Sequence, residues 1–291
     1  MKKDKIIISI CSRSFNNNLL ILLNCIYKNW QFSNLNIKVL IIFNGSKKIQ
    51  NLQKKLIQKN LKKIKYIIGF ENRVGISYVR NRVLKELKSL DYDYGCFLDD
   101  DCMIKKNFIV KHLNFIKKNN CQIVGGPQLY KSKRVFFRVF ERNFLNDRYV
   151  SWVSTNNVFY LKSALDKNLY FSKNVTKYGY GEDQLFFSKL SNFKKTIRWN
   201  NNPVFEIAQK KRENIKWFME RNYKYGLTGI LIDRELYGFI SAIFLNIFKA
   251  LLNLSRSFLY LLLIPFKPIV NFYFSFAYFL RFIGRVVNIF G

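Results

Sequence analysis

The chain has 291 residues, with 50 Lys and Arg against 18 Asp and Glu, a net charge of +32, one histidine and five cysteines. At 49% hydrophobic and 17% aromatic it has ample material for a core, which excludes wholesale disorder. The lone His112 excludes a multi-histidine metal site. Five cysteines with no CxxC pair argue against a zinc ribbon or a disulfide framework and suit a reducing compartment.

The positive excess attracts anions: nucleic acid, an anionic membrane face or phosphorylated substrates. Lysine- and asparagine-rich usage from a genome rich in A and T explains much of it equally well. The opening MKKDKIIISIC reads as a first strand rather than a signal peptide. Lys5–Cys11, Ile37–Phe43, Lys65–Phe70 and Tyr94–Leu98 are short β-branched, apolar runs, as expected of buried parallel strands. Between them, Asn17–Trp30, Lys47–Asn60 and Gly75–Leu90 fit helices. This alternation predicts βαβ units, with ligands at the carboxyl ends of the strands. Ser12-Arg13-Ser14, Asn44-Gly45-Ser46 and Asp99-Asp100-Asp101 each follow such a strand directly.

Further along, Cys121–Tyr130 reads as a strand and turn, and Lys131–Arg148 as a loop with a short helix. Ser151–Leu161 reads as a strand, Gly179–Leu190 as a turn opening a helix, Thr196–Trp199 and Pro203–Ile207 as short strands, and Glu213–Leu227 as a helix. Residues 236–291 contain no Asp or Glu and only five Lys or Arg. Their longest charge-free gap is 13 residues, short of the roughly 18–20 of a simple membrane span. Asn246, Lys249, Asn253 and Arg256, and then Asn271, Ser275, Tyr278, Arg281, Arg285 and Asn288, recur in steps of 3 and 4, so each set lines one helix face. Two amphipathic helices interrupted at Pro265 and Pro268 read as an in-plane membrane anchor, against the alternative of a helical cap packed on the domain or a partner. The division expected is 1–235 and 236–291.

Three consecutive aspartates at a buried strand end repel one another unless a cation neutralises them. A divalent ion coordinating one or two carboxylates and substrate phosphates does so, while a solvated acidic turn capping the helix from Asn107 is the alternative. Glu182-Asp183, inside Gly-x-Gly-Glu-Asp-Gln, is either ordinary acid at a helix N-terminus or the source of a general base.

Together these segments resemble a family 2 glycosyltransferase of the GT-A fold: a Rossmann-like α/β domain with a mostly parallel mixed sheet and flanking helices, here followed by the C-terminal amphipathic helices. ISICSRSF, IIFNGS, ENRVGISYVRNRVL, FLDDDCMIKKNFI, VSTNNVFYLKSAL and YGYGEDQLFFSKL match its motifs in order between about Ile6 and Gly229. The resemblance implies inverting transfer of a sugar from a nucleoside diphosphate sugar, assisted by Mn2+ or Mg2+. It assigns Ser12, Arg13 and Asn44 to the nucleoside, Arg80 to the diphosphate, and Asp99 and Asp100 to the nucleotide sugar. It assigns Asp101 to the metal, Asn157 to the acceptor, Asp183 as general base, and Glu182 to orienting the acceptor.

Phe43 stands where the family often carries an Asp that holds the nucleobase, so UDP, GDP and TDP stay open, with UDP the first expectation. The family's late histidine ligand has no counterpart. Its place holds Glu206, read as a substitute metal ligand or acceptor contact, or as a structural carboxylate paired to Arg212. His112 reads as a core or surface histidine. Gln209-x-x-Arg212 lacks the following Trp of processive synthases, and Arg212–Gly226, with Trp217, Arg221 and Tyr225, resembles bacterial exopolysaccharide-type members. These imply a lipid-linked saccharide acceptor, an anionic membrane surface as partner, and a peripheral or monotopic place on the cytoplasmic face of the plasma membrane. A nucleotidyl or phosphoryl transferase would show a Gly-rich phosphate loop, which is missing. A nucleic-acid binder would concentrate its basic residues, which are spread here. An inactive homologue would have no need of Asp101 and Asp183.

Overall fold

A computed structural model of the chain describes residues 3–31, 33, 35–45, 65–165 and 168–290. In chain order the elements are β1 (Lys5–Ser12), α1 (Asn17–Gln31), β2 (Asn36–Asn44), β3 (Lys65–Glu71), α2 (Ile76–Lys88), β4 (Tyr94–Asp99) and β5 (Cys102–Ile104). There follow α3 (Phe108–Asn119), β6 (Ile123–Gly125), β7 (Gln128–Lys131), β8 (Val158–Leu161), α4 (Glu182–Asn192), β9 (Ile197–Trp199), β10 (Val204–Ile207), α5 (Ile215–Tyr237), α6 (Phe239–Leu262) and α7 (Pro268–Phe290). The chain divides into two compact units, one of residues 1–129, 142–171 and 186–207, the other of 130–141, 172–185 and 208–291.

The first unit is built on a seven-stranded sheet of order β3-β2-β1-β4-β8-β6-β9. Its first four strands are parallel and β8 runs antiparallel between β4 and β6. These four are the runs expected from sequence, because strands buried on both faces must be apolar at consecutive positions. α1 buries Leu19, Leu22, Leu23 and Ile26, and α2 buries Val79, Val83, Leu84 and Leu87, each set at helical spacing. The helix expected over Lys47–Asn60 lies outside the described residues. The strand expected over Ser151–Leu161 is shorter: a 3-10 turn occupies Thr155–Asn157, and β8 begins only at Val158. Paired asparagines favour the turn over continued pleating. β5, not expected, follows the aspartates directly and pairs antiparallel with β10, setting Cys102 opposite Glu206.

In the second unit, α5 continues past the helix end expected at Leu227 and past residue 235, stopping at Gly238, whose φ of 83° suits glycine. α5 and α7 meet where a Cβ on Gly226 would lie 2.4 Å from the Arg281 carbonyl oxygen and 2.8 Å from Gly284 Cα, so only glycine fits this crossing. An aromatic core of Phe136, Phe137 and Phe218 packs with Tyr273 and Phe276 of α7.

The polar residues of α6 and α7 share a face as expected, but most of that face is turned inward, with Arg256 left exposed. Arg285 Nη1 donates to Asn246 Oδ1 at 2.7 Å, while Asn246 Nδ2 donates to the Arg285 carbonyl at 2.9 Å. Ser257 Oγ donates to the Ser275 carbonyl, Arg281 Nε to Asn222 Oδ1, and Asn288 Nδ2 to the Leu227 carbonyl. Buried Asp233 of α5 pairs with Lys249 at 2.6 Å and Arg285 at 3.5 Å. The outward residues include Phe244, Phe248, Leu251, Phe258 and Leu262, with Phe266 in the connecting turn 80% exposed. This reverses the polarity of a helix on a soluble surface. The charge gaps argued against a span, yet α6, with Lys249 and Arg256 as its charges, is long and apolar enough by length and composition to cross a membrane.

Removing the buried partner of two cations leaves them uncompensated. Asp233→Ala is expected to destabilise the protein by about 3 kcal/mol, the cost typical of breaking a buried pair. Urea denaturation of the two proteins measures this, and a difference below about 0.5 kcal/mol would refute the role.

Candidate active site

Register levels the carboxyl ends of β1, β2 and β4. Ser12 lies opposite Phe43, and Cys11 lies opposite both Ile42 and Asp99. Ser12 is nearly buried, and its hydroxyl donates to Asp100. Arg13, next along, is exposed. Ser12 and Asp100 are therefore brought together as expected, by two strands meeting at one rim.

Arg80, the fifth residue of α2, is buried and reaches Asp99 at 3.7 Å, whose own side chain is 38% exposed. A buried guanidinium needs such a partner. Its other support was not evident from sequence. The Phe171 ring lies 5.6 Å from the guanidinium, stacks on Phe186 at 4.1 Å and meets Phe97 of β4 edge-on. Asn81 grips the Phe171 backbone from both sides, donating to its carbonyl and accepting from its N–H. The Arg-Asn pair in YVRNR was the available signal: one residue faces the aspartates, and the next fixes the platform beneath it.

Asp101 is 5% exposed, and its carbonyl accepts from the Ile207 N–H at 2.9 Å. Glu206 is also buried, and Gln128 Nε2 donates to its carboxylate. Burial pushes the Cys102 thiol well above its ordinary pKa, and Asp99, Asp101 and Glu206 push it further the same way, so the strand end carries a concentrated negative potential. Among the described residues no three His, Cys, Asp or Glu side chains form a group that could hold a metal alone. One or two hard carboxylates completed by diphosphate oxygens are a different demand, and the Asp triplet meets it in donor type and charge.

Phe43 is buried and stacked with Phe70 at 6.1 Å, which makes it core in place of a nucleobase contact. Asn44 carries the turn instead: its amide donates to the carbonyls of Glu71 and Arg73 and accepts from the Gly75 N–H. Gly75, at φ 139°, opens α2 in a conformation that favours glycine. At the end of β3, Arg73 grips Glu71 through two bonds of 2.8 and 2.9 Å, which lowers the Glu71 pKa. Asn157, expected at the acceptor, is 1% exposed. It accepts from His112 Nε2 at 3.1 Å and donates to the carbonyls of Pro127 and Asn202. Its position is therefore in the core, bracing the segment that leads from β6 to β7, and His112 is a core histidine.

In the second unit Glu182 and Asp183 open α4. Glu182 is buried, while Asp183 is partly exposed and accepts from the Gln184 N–H at 2.7 Å. Gly181 has φ 95°, and a Cβ there would lie 2.6 Å from Thr228 Cγ2 of α5. Both the backbone angle and the close approach require glycine in this turn.

The family model described as Glycosyl transferase family 2 matches residues 6–175. Comparison with curated proteins gives no significant match. Among solved structures, the chain is 17% identical to S. aureus TarS 1–349, with a TM-score of 0.54 over 82% of this chain and 72% of that one. Against the same TarS fragment in complex with UDP-GlcNAc the identity is 16% and the TM-score 0.53, over 76% of this chain and 65% of that one. The mannosyltransferase PcManGT from Pyrobaculum calidifontis, in complex with GDP-Man and Mn2+, is 13% identical, with a TM-score of 0.62 over 99% of this chain and 88% of that one. These likenesses establish the fold, a mixed α/β GT-A architecture.

Burial lowers the His112 pKa to about 3 from an ordinary 6.5. Its unfolded form therefore binds the extra proton first as pH falls. Its contribution is complete above pH 6.5 and is lost towards pH 3, at up to about 1.4 kcal/mol per pH unit. His112→Gln is expected to remove this part of the acid sensitivity. Parallel stability–pH curves for the two proteins between pH 7 and 4 would refute it.

Proposed function

The chain belongs to glycosyl transferase family 2, and from that premise we propose that it transfers a sugar, with inversion, from a nucleoside diphosphate sugar to an acceptor hydroxyl. The observation that carries this reading is the meeting of Ser12, Arg80, Asp99 and Asp100 at one rim, with Asp101 directly beyond. Ser12 and Arg13 would receive the nucleoside, and Asn44 would shape the same pocket by holding the turn after β2. Asp101 would hold Mn2+ or Mg2+, with Glu206 a further ligand or acceptor contact. Such an ion, when bound, supplies charge neutralisation for the departing diphosphate. Arg80 would act with it through Asp99, keeping a fixed positive charge beneath the carboxylates. Asp183, the partly exposed member of its pair, would take the proton of the attacking hydroxyl, and Glu182 would orient the acceptor.

The solved structures with UDP-GlcNAc and with GDP-Man support a nucleoside diphosphate sugar as donor. UDP is the first expectation. We further read the acceptor as a lipid-linked saccharide of bacterial surface polysaccharide synthesis, used at the cytoplasmic face of the plasma membrane. The support is residues 236–291 as a membrane-associating segment: no acid, and an outward apolar face on α6 with exposed Arg256 at hand for anionic lipid.

Thermal shift with UDP, GDP, TDP and CDP and their sugars, with and without Mn2+ or Mg2+, tests the donor site. One diphosphate should stabilise the protein in a metal-dependent way, and Asp101→Ala should abolish that dependence. Asp183→Asn should retain the shift and lose transfer by roughly 100-fold or more. Stabilisation by no nucleotide, or full turnover without Asp183, would sink the corresponding assignment. For the membrane, the full chain should float with vesicles containing anionic lipid, and the Phe244→Asp, Leu251→Asp double variant should stay behind. Equal flotation of both proteins would count against the anchor.

A further inference from the structure

Arg221 of α5 stands in an aromatic cage. Its guanidinium carbon lies 4.5 Å from the Phe140 ring centre, 4.9 Å from Trp217, 5.4 Å from Tyr180 and 5.5 Å from Tyr225. Nε donates to Tyr225 Oη at 2.8 Å, and the Tyr180 and Tyr225 rings meet edge-on at 5.1 Å. Guanidinium–ring contacts gain strength as they lose water, and four at once hold a planar cation in one orientation. An ammonium or a neutral side chain does not reproduce that geometry.

The cage matters for what Tyr180 precedes. Tyr180, Gly181, Glu182 and Asp183 are consecutive, and the same helix holds the whole segment. Gly181 rests on Thr228 and Ile232 of α5. Leu185 packs with Ile232 and Val175. Ser172 donates to Glu235, also of α5. Along α5, Arg221, Tyr225, Thr228, Ile232 and Glu235 follow one another at steps of 3 and 4, a single stripe facing the segment. Arg221 is the member at its N-terminal end and the charged one that works through ring faces.

We infer that Arg221 is a positioning residue, its cage of Tyr180, Trp217, Phe140 and Tyr225 fixing the turn that presents Asp183. This rests on the reading of Asp183 as base. A carboxylate accelerates proton removal only when held within hydrogen-bond reach, so a looser turn slows the chemical step without touching the donor.

The test uses the full chain in four forms: wild type, Arg221→Met, Arg221→Lys and Asp183→Asn. Hydrogen–deuterium exchange is read over residues 176–185 and, as control, over 94–101. Turnover is read as diphosphate released, with water as acceptor, from the nucleotide sugar that gives the largest thermal shift. In Arg221→Met the exchange at 176–185 should rise about tenfold while 94–101 is unchanged. Turnover should fall about tenfold or more with the donor KM within twofold, and Arg221→Lys should lie between. Where Arg221→Met does not fold, Tyr225→Phe, which removes the Nε bond and keeps the ring, should give the same pattern at smaller amplitude. Unchanged exchange at 176–185 overturns the inference whatever Asp183 does, as does a parallel rise in the donor KM. A loosened turn with undiminished turnover in both Arg221→Met and Asp183→Asn overturns the base assignment instead.

Discussion

Parallel, in-register pairing of β1 with β2 and β4 is the constraint on which the candidate site depends. Parallel strands start and stop on the same sides, so whatever follows each of them is delivered to one edge. A slip of one residue in β4 would turn Asp99 to the opposite face and break the Arg80 pair. The core guards the register. Ile6, Ile8 and Ile10 bury on one face with Val39, Ile41 and Leu98, and Ile7 on the other with Leu40 and Phe97. Carboxylates that repel one another are thus held at the rim by apolar burial several residues away.

A different economy governs the second unit. α5 is its spine, carrying the aromatic cage at one stretch and a buried carboxylate at another. Asp233 accepts both Lys249 and Arg285, and Arg285 passes the connection to Asn246. Asp233 and Asn246 are buried and each has a partner, which is the condition for a buried polar network to favour one structure. Glycine at Gly226 and Gly284 brings α5 and α7 close enough for the network to close.

Much of this was legible in the residues, for reasons that differ by element. The four parallel strands announced themselves because burial on both faces leaves no room for polar positions. The Asp triplet was informative because acid is scarce in a chain of this charge. The period of the polar residues in α6 and α7 gave a face for each helix, but periodicity does not say whether that face looks out or in. Asn157 shows the same limit. A motif position tells where a residue lies along the chain, whereas its partners are 45 residues away in the case of His112 and Asn157. Gln128 and Glu206, 78 apart, are joined only by the pairing of short strands that local sequence specifies weakly.

The inward polar stripe has a consequence for the order of events. A helix whose hydrogen-bonding side chains face water must strip them before entering lipid. Here Asn246, Ser257, Arg281 and Asn288 are already matched within the protein. On the membrane reading, the helical pair is therefore assembled before it meets the bilayer, and docking replaces only water against hydrocarbon. On the same reading, preassembly would make attachment reversible as a unit, the protein leaving one patch of lipid and joining another without refolding.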